Sequence, residues 1–340
     1  MPISAVDVIP PAFERMVRHL FKPFRIGQWV RLAVVGFFAG EMGFNGGCNA
    51  RSPGDFTSQQ GAGFPAMGLP GGAGLLFIVA VCLAVLLALV LGIALLYVNS
   101  RMRFVLFDSV LEGECRIRDF WRRRGDVAIR YFVWQLLFMI CCVIALAILL
   151  VIPVVFAYGM GWLTSPSGHV LPLVLGGILL GLVFIAAIVV IGVVQVLIKD
   201  FVVPQMVFDN VSVAEGCRRL WAMMKEEKGG YAGYIGMKIV LALAAAVGLG
   251  IITVIVALVL VIPLGGIGAV AILAGRAAGL TWNPVAIAIA IVAGGLALLV
   301  LVFIAALISV PAIVFFPAYS IHFFADRYPA LHAALNPPPL

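Results

Sequence analysis

The sequence predicts an all-α polytopic membrane protein: a six-helix transmembrane bundle with interfacial amphipathic elbow helices and an internal parallel repeat. Three observations carry this reading. Of 340 residues, 64% are hydrophobic and 11% charged, whereas a soluble domain carries about 25% charged residues. The apolar residues are gathered in runs long enough to cross a bilayer. Two polar stretches between those runs repeat each other: F-V-L-F-D-S-V-L-E-G-E-C-R-I at 104–117 and Q-M-V-F-D-N-V-S-V-A-E-G-C-R-R-L at 205–220. The whole chain, 1–340, reads as one integral membrane domain.

The first thirty residues hold charges and prolines but no apolar signal-peptide core, so later segments are expected to target the chain. Residues 11–25 begin at Pro11 and break at Pro23. Phe13, Val17, Leu20 and Phe24 form a helical apolar stripe opposite Arg15, Arg18, His19 and Lys22. This predicts an amphipathic helix lying on the inner leaflet.

Residues 26–44 form the weakest candidate span, because Arg31 and Glu41 interrupt it. Charge decides whether it crosses. If it does, the N-terminus, the loops 99–131 and 199–238 and the C-terminus share one side, with 20 of the 22 basic residues. The positive-inside rule then places that side in the cytoplasm. Both termini are expected to be cytoplasmic, in the inner membrane of a prokaryotic cell. Glu41 falls at the outer interface in this scheme.

Residues 45–73, rich in Gly, Pro and Ser, read as a flexible outer loop. Five strong spans follow at 75–98, 132–158, 171–198, 239–262 and 285–310, against the roughly 20 residues that a bilayer needs. Trp29 and Trp134 fall near the inner interface, Trp162 and Trp282 near the outer one, as an aromatic belt requires. Gly177 and Gly181 form a small-x-x-x-small pair suited to close helix packing or dimerisation. The stretch 264–283 reads as a tight outer loop or a re-entrant segment.

The repeat units run about 75–158 and 171–262, with a final span and elbow at 285–328. In each loop, Phe-Asp precedes a Ser-x-x-Glu box: Asp108 before Ser109 and Glu112, Asp209 before Ser212 and Glu215. A serine there can cap a helix N-terminus while the glutamate reaches back. Glycine and then Arg116 or Arg219 follow. L-V-I-P recurs at 150–153 and 260–263. V-P-Q-M-V-F-D at 203–209 is echoed by V-P-A-I-V-F-F at 310–316, and Pro204 and Pro311 should bend the chain. Both units run from outside to inside and back, so the repeats are parallel.

L-F-K-P-F-R-I-G-Q-W-V-R-L-A-V-V-G-F-F-A at 20–39, N-S-R-M-R-F-V-L-F-D-S-V at 99–110, D-F-V-V-P-Q-M-V-F at 200–208 and V-P-A-I-V-F-F-P-A-Y-S-I-H-F-F at 310–324 carry a family likeness. In this order they resemble a prokaryotic six-span membrane family often labelled glycerophosphoryl diester phosphodiesterase membrane domain. In fusions such a region precedes a soluble catalytic barrel, which this chain is expected to lack. The resemblance therefore implies a membrane module and brings no catalytic residues with it.

Candidate chemistry is sparse. The six cysteines form no C-x-x-C pair and the four histidines no metal-ligand spacing, so no metal or cofactor is expected. No H-E-x-x-H or G-x-S-x-G motif points to an enzyme. Asp108 and Asp209 either brace a turn or hold a cation or lipid head group. Arg116, Arg122, Arg123, Arg124 and Arg219 are the candidate contacts to anionic lipid phosphate. Ser109, Glu112, Pro204, Ser212, Glu215 and Pro311 are the expected structural residues of the elbows. The net charge of +7 reads as an orientation signal, not a nucleic-acid surface. The expected partners are membrane phospholipids, with a homo-oligomer or a membrane partner protein as further possibilities. Two functions compete: a non-enzymatic module that contacts phospholipid or organises partners at the cytoplasmic face, and a transporter with a site between the repeated hairpins.

Overall fold

The structure, a computed structural model, describes residues 4–41, 71–163, 168–277 and 284–335. Among these the secondary structure is entirely helical: α1 (Ile9–Phe21), α2 (Ile26–Ala39), α3 (Gly71–Glu112), α4 (Ile117–Arg123), α5 (Gly125–Gly159), α6 (Val170–Leu197), a π turn (Ile198–Val202), α7 (Val203–Asp209), α8 (Val213–Glu226), α9 (Lys228–Ala277), α10 (Pro284–Ala325) and α11 (Pro329–Leu335). Five stretches are long and apolar enough to cross a membrane: Phe77–Glu112, Gly125–Gly159, Val170–Asp209, Lys228–Pro263 and Ile287–Ala325. The chain is a multi-pass membrane protein by this measure.

The weak first span takes another form. Helix α2 has 14 residues, about 21 Å at the α-helical rise, against a hydrocarbon thickness of about 30 Å. It stops at Gly40, whose φ of 74° is open to glycine at no steric cost. The turn is closed by the Glu41 amide donating to the Gly36 carbonyl at 2.9 Å. Asn99 Nδ2 donates to the Phe38 carbonyl at 2.8 Å and Gln28 Nε2 to the Gly113 carbonyl at 3.2 Å. Helix α2 therefore lies antiparallel to the last third of α3, beside the segment expected inside, not beside the span 75–98. The expected outer loop, with Cys48, lies mostly outside the described residues, and α3 already begins at Gly71.

Burial is concentrated at one end of the molecule. The core combines Val8, Leu20, Leu32 and Val35 with Phe104–Phe107, Phe201–Val203, Met206, Val310–Val314 and Tyr319–Phe324. These are the repeated motif stretches. They were expected as elbows at the membrane interface, and the other helices pack around them. Phe201 sits at the centre, with ring centroids 5.3 Å from Tyr231, 5.0 Å from Tyr234 and 5.2 Å from Phe324. Tyr234 stacks on Tyr319 at 5.2 Å. Glycine allows a close approach: a Cβ on Gly36 would lie 2.5 Å from Ile313 Cδ1, so α2 meets α10 backbone to side chain.

Away from this end the spans separate. The most apolar 18-residue window of each of the five is unburied, and Leu86, Leu179, Leu258 and Leu299 all face outward. A Cβ on Gly177 or Gly181 would meet nothing within 4 Å, so this pair does not mediate packing within the chain. Pro153, Pro263, Pro311 and Pro317 all lie inside continuous helices. The third elbow is thus not a separate element, since α10 runs through Pro311 to Ala325. Residues 264–277 likewise continue α9 as helix, and residues 278–283, with Trp282, lie outside the described residues.

Candidate functional site

The two matched loops differ at the point where they were expected to agree. In the second, Asp209 closes α7, Asn210 takes a left-handed conformation (φ 54°), and the Ser212 hydroxyl accepts the Glu215 amide at 3.3 Å to cap α8. Glu215 does not reach back to complete the box. It turns to Arg218 and Arg219 instead, at 2.9 and 3.2 Å. Its hydrogen bond to Arg219 holds the carboxyl below its usual range, and the same bond raises the Arg219 guanidinium. Gly216 lets α8 close on the π turn, because a Cβ there would lie 2.7 Å from Val202 Cγ1.

In the first loop α3 does not stop at Asp108. It continues through Ser109, whose hydroxyl donates back to the Val105 carbonyl at 2.6 Å, a bond that belongs to a helix interior. The expected capping box of Ser109 and Glu112 therefore does not form, and Glu112 pairs with Arg123 at 2.6 Å. The helix ends at Gly113, with φ 77°. Its last carbonyls, which have no partner within the helix, are taken by α1: Arg15 Nε donates to the Val110 carbonyl at 3.2 Å and Nη2 to that of Leu111 at 2.7 Å.

Both repeated aspartates hold an arginine. Asp108, with its side chain 2% exposed, accepts from Arg124 at 3.0 and 3.4 Å. Arg124 also donates to the Val207 carbonyl at 3.2 Å, so it ties α3 to α7. Asp209, with its side chain 34% exposed, pairs with Arg219 at 2.7 Å. The rings of Phe107 and Phe208, one residue before each aspartate, meet at 6.4 Å. The arrangement braces the two loops against each other and uses both carboxylates in doing so.

The remaining predicted cations form an exposed rim: Arg116 pairs with Glu114 at 2.6 Å and Arg122 lies on the surface. Arg130, also exposed, bonds Asn210. Pro204 sits at the start of α7, directly after the π turn. Proline has no amide hydrogen to offer the carbonyl four residues back, that of Asp200, and the break in the ladder falls there.

Sequence reasoning missed one charged cluster. Lys199 pairs with Glu41, and Asp200 accepts from Lys238 and, at 2.9 Å, from Tyr234. Glu41 thereby shares an end of the molecule with Lys199, from which the six-span reading set it apart across the membrane. A cavity of about 30 Å³ adjoins Glu41, Lys199, Asp200 and Arg103. The signal was present in adjacent opposite charges at the end of an apolar run, which pair with a distant residue when buried. A second such tie is Glu227 with Arg327, joined at 2.8 and 2.6 Å, with Arg327 stacked 3.9 Å over Phe323. That bond lowers the Glu227 carboxyl below its usual range.

No curated protein and no solved structure matches the chain. The family profile that does match names no phosphodiesterase and no activity. It extends over residues 3–334, through every helix described above, and on that match the chain belongs to the family of unknown function DUF7544.

Proposed function

We propose that the chain is a non-enzymatic integral membrane module that contacts anionic phospholipid through the rim of its packed end, which faces the cytoplasm. The observation that carries this is a juxtaposition. Exposed guanidinium groups at Arg116, Arg122 and Arg123 ring the end from which unburied apolar helices project. Each basic residue beside an anionic leaflet contributes about 1 kcal/mol. The separated spans leave room for lipid, a second copy or a partner protein along their sides. Native mass spectrometry of the chain released from nanodiscs tests the reading. Retained phosphatidylglycerol should fall several-fold in a variant with Arg116, Arg122 and Arg123 changed to Gln, and equal retention would refute it.

A transporter is the second reading. The buried pairs of Glu41 with Lys199 and Asp200 with Lys238 favour it, because ionisable groups between apolar helices often mark a path. The adjoining cavity of about 30 Å³ is the size of a water molecule, and this weighs for the module. Solute flux in proteoliposomes that is abolished by Asp200→Asn would reverse the order.

A further inference from the structure

The basic stripe of α1 borders a concavity, with Arg18 and Lys22 exposed and His19 buried. Arg15, Arg18, His19 and Lys22 recur at i, i+3, i+4 and i+7, on one face of a helix, and all four line an open concavity of about 770 Å³. The opposite walls are the C-terminal end of α3, with Glu112, and the end of α10, with His322 and Asp326. His19 is 8% exposed, and neither of its ring nitrogens has a hydrogen-bond partner among the described residues; nor has Nε2 of His322.

We infer that this concavity binds the phosphate group of a polar head group, with Lys22, Arg15 and His19 as its donors. The inference rests on the phospholipid-contact reading and deepens it from a diffuse rim to a built site.

The charge pattern selects the ligand. Glu14 is occupied by Arg18 at 2.9 Å and Glu112 by Arg123 at 2.6 Å. Arg15 and Lys22 have no carboxylate partner among the described residues, so their charge is available to an anion. Arg15 is held in place by the two α3 carbonyls and keeps further donors in its fork. Burial and the neighbouring Arg15 push the His19 imidazole down to about 4. At neutral pH it therefore offers one N–H and one lone pair. Both nitrogens are buried without a partner and His19 lines the cavity, so a rotation about the last side-chain torsion, which has broad minima, is what would bring one of them to the ligand. Phe21 at the end of α1, Phe24 in the turn after it and Ile26 at the start of α2 are exposed apolar groups near Lys22, a seat for an acyl chain.

The test uses the full chain in detergent and three probes: dioctanoyl-phosphatidylglycerol, glycerol phosphate and phosphate-free dioctanoylglycerol. The expected result is saturable one-to-one binding of the phosphorylated lipid. Lys22→Gln and His19→Gln should each weaken it about tenfold, the size of a lost hydrogen bond to a charged group, and Lys225→Gln, at an exposed position of α8, should leave it unchanged. Lys22 is exposed, so its variant tests the site without risk to the core. Equal affinity for glycerol phosphate, with the same dependence on Lys22, supports the phosphate site and assigns it a soluble source. Binding that ignores both substitutions, or equal affinity for dioctanoylglycerol, overturns it. If the rim variant strips lipid while Lys22→Gln does not, the leaflet contact stands and the pocket falls.

Discussion

Asp108 and Asp209 hold the same place in the repeated sequence and differ in what surrounds them. Asp108 is buried with Arg124, and removing it leaves a guanidinium half out of water with only a carbonyl to bond. Breaking a buried pair costs about 3–5 kcal/mol, an exposed one under about 1 kcal/mol. Thermal unfolding in detergent should therefore separate the two: Asp108→Ala is expected to destabilise strongly and Asp209→Ala hardly at all. Equal effects would show that the aspartates act as equivalent members of a repeat. His19 makes a second prediction at this scale. Its folded-state value of about 4 lies below the ordinary imidazole value of 6.5, so the unfolded chain binds the extra proton first. Stability should be unaffected by this group above pH 6.5 and should fall as pH drops from about 6.5 towards 4, by up to about 3 kcal/mol. In His19→Leu that part of the pH dependence should vanish.

At the scale of elements, packing depends on a few close approaches. A methyl group on Gly36 would overlap Ile313, and overpacking of this kind costs about 1–3 kcal/mol. Gly36→Ala should destabilise by that amount, and Ile313→Ala in the same chain should return part of it, a coupling that a double-mutant cycle reads. Gly92→Ala, with open space around it, serves as the neutral control. Helices also show what could be read in advance. The five long apolar runs and the Ser212 cap of α8 were legible, because hydropathy and a local cap depend on neighbours in sequence. The first loop was not. Ser109 follows its aspartate directly, whereas Asn210 and Val211 come between Asp209 and Ser212; the Ser109 hydroxyl turned back to Val105 as α3 continued to Gly113, and the last carbonyls were taken by Arg15, 95 residues from Val110. The α1 stripe was legible as a face, while the wall of α10 and α3 opposite it was not. The Glu41–Lys199 pair, 158 residues apart in sequence, was invisible for the same reason.

At the scale of the molecule, one end is a packed core and the other is a set of separated apolar helices. Arg15, Arg124 and Arg327 each tie elements remote in sequence within that end. Tyr319 donates to the Ala5 carbonyl at 2.9 Å, so the N-terminal segment and the end of α10 belong together. The account therefore requires Ser4, Arg122 and Arg218 on one side of the membrane. The turn between α5 and α6 lies on the other, because α5 alone is 35 residues, about 52 Å long. Single cysteines at Ser4, Arg122, Arg218 and Gly168, introduced into a cysteine-free chain, test this in intact cells with a membrane-impermeant maleimide. The predicted result is labelling at Gly168 alone, with the other three reacting only after permeabilisation. Labelling of Arg122 or Arg218 in intact cells, or protection of Gly168, would contradict a packed basic end on the cytoplasmic face.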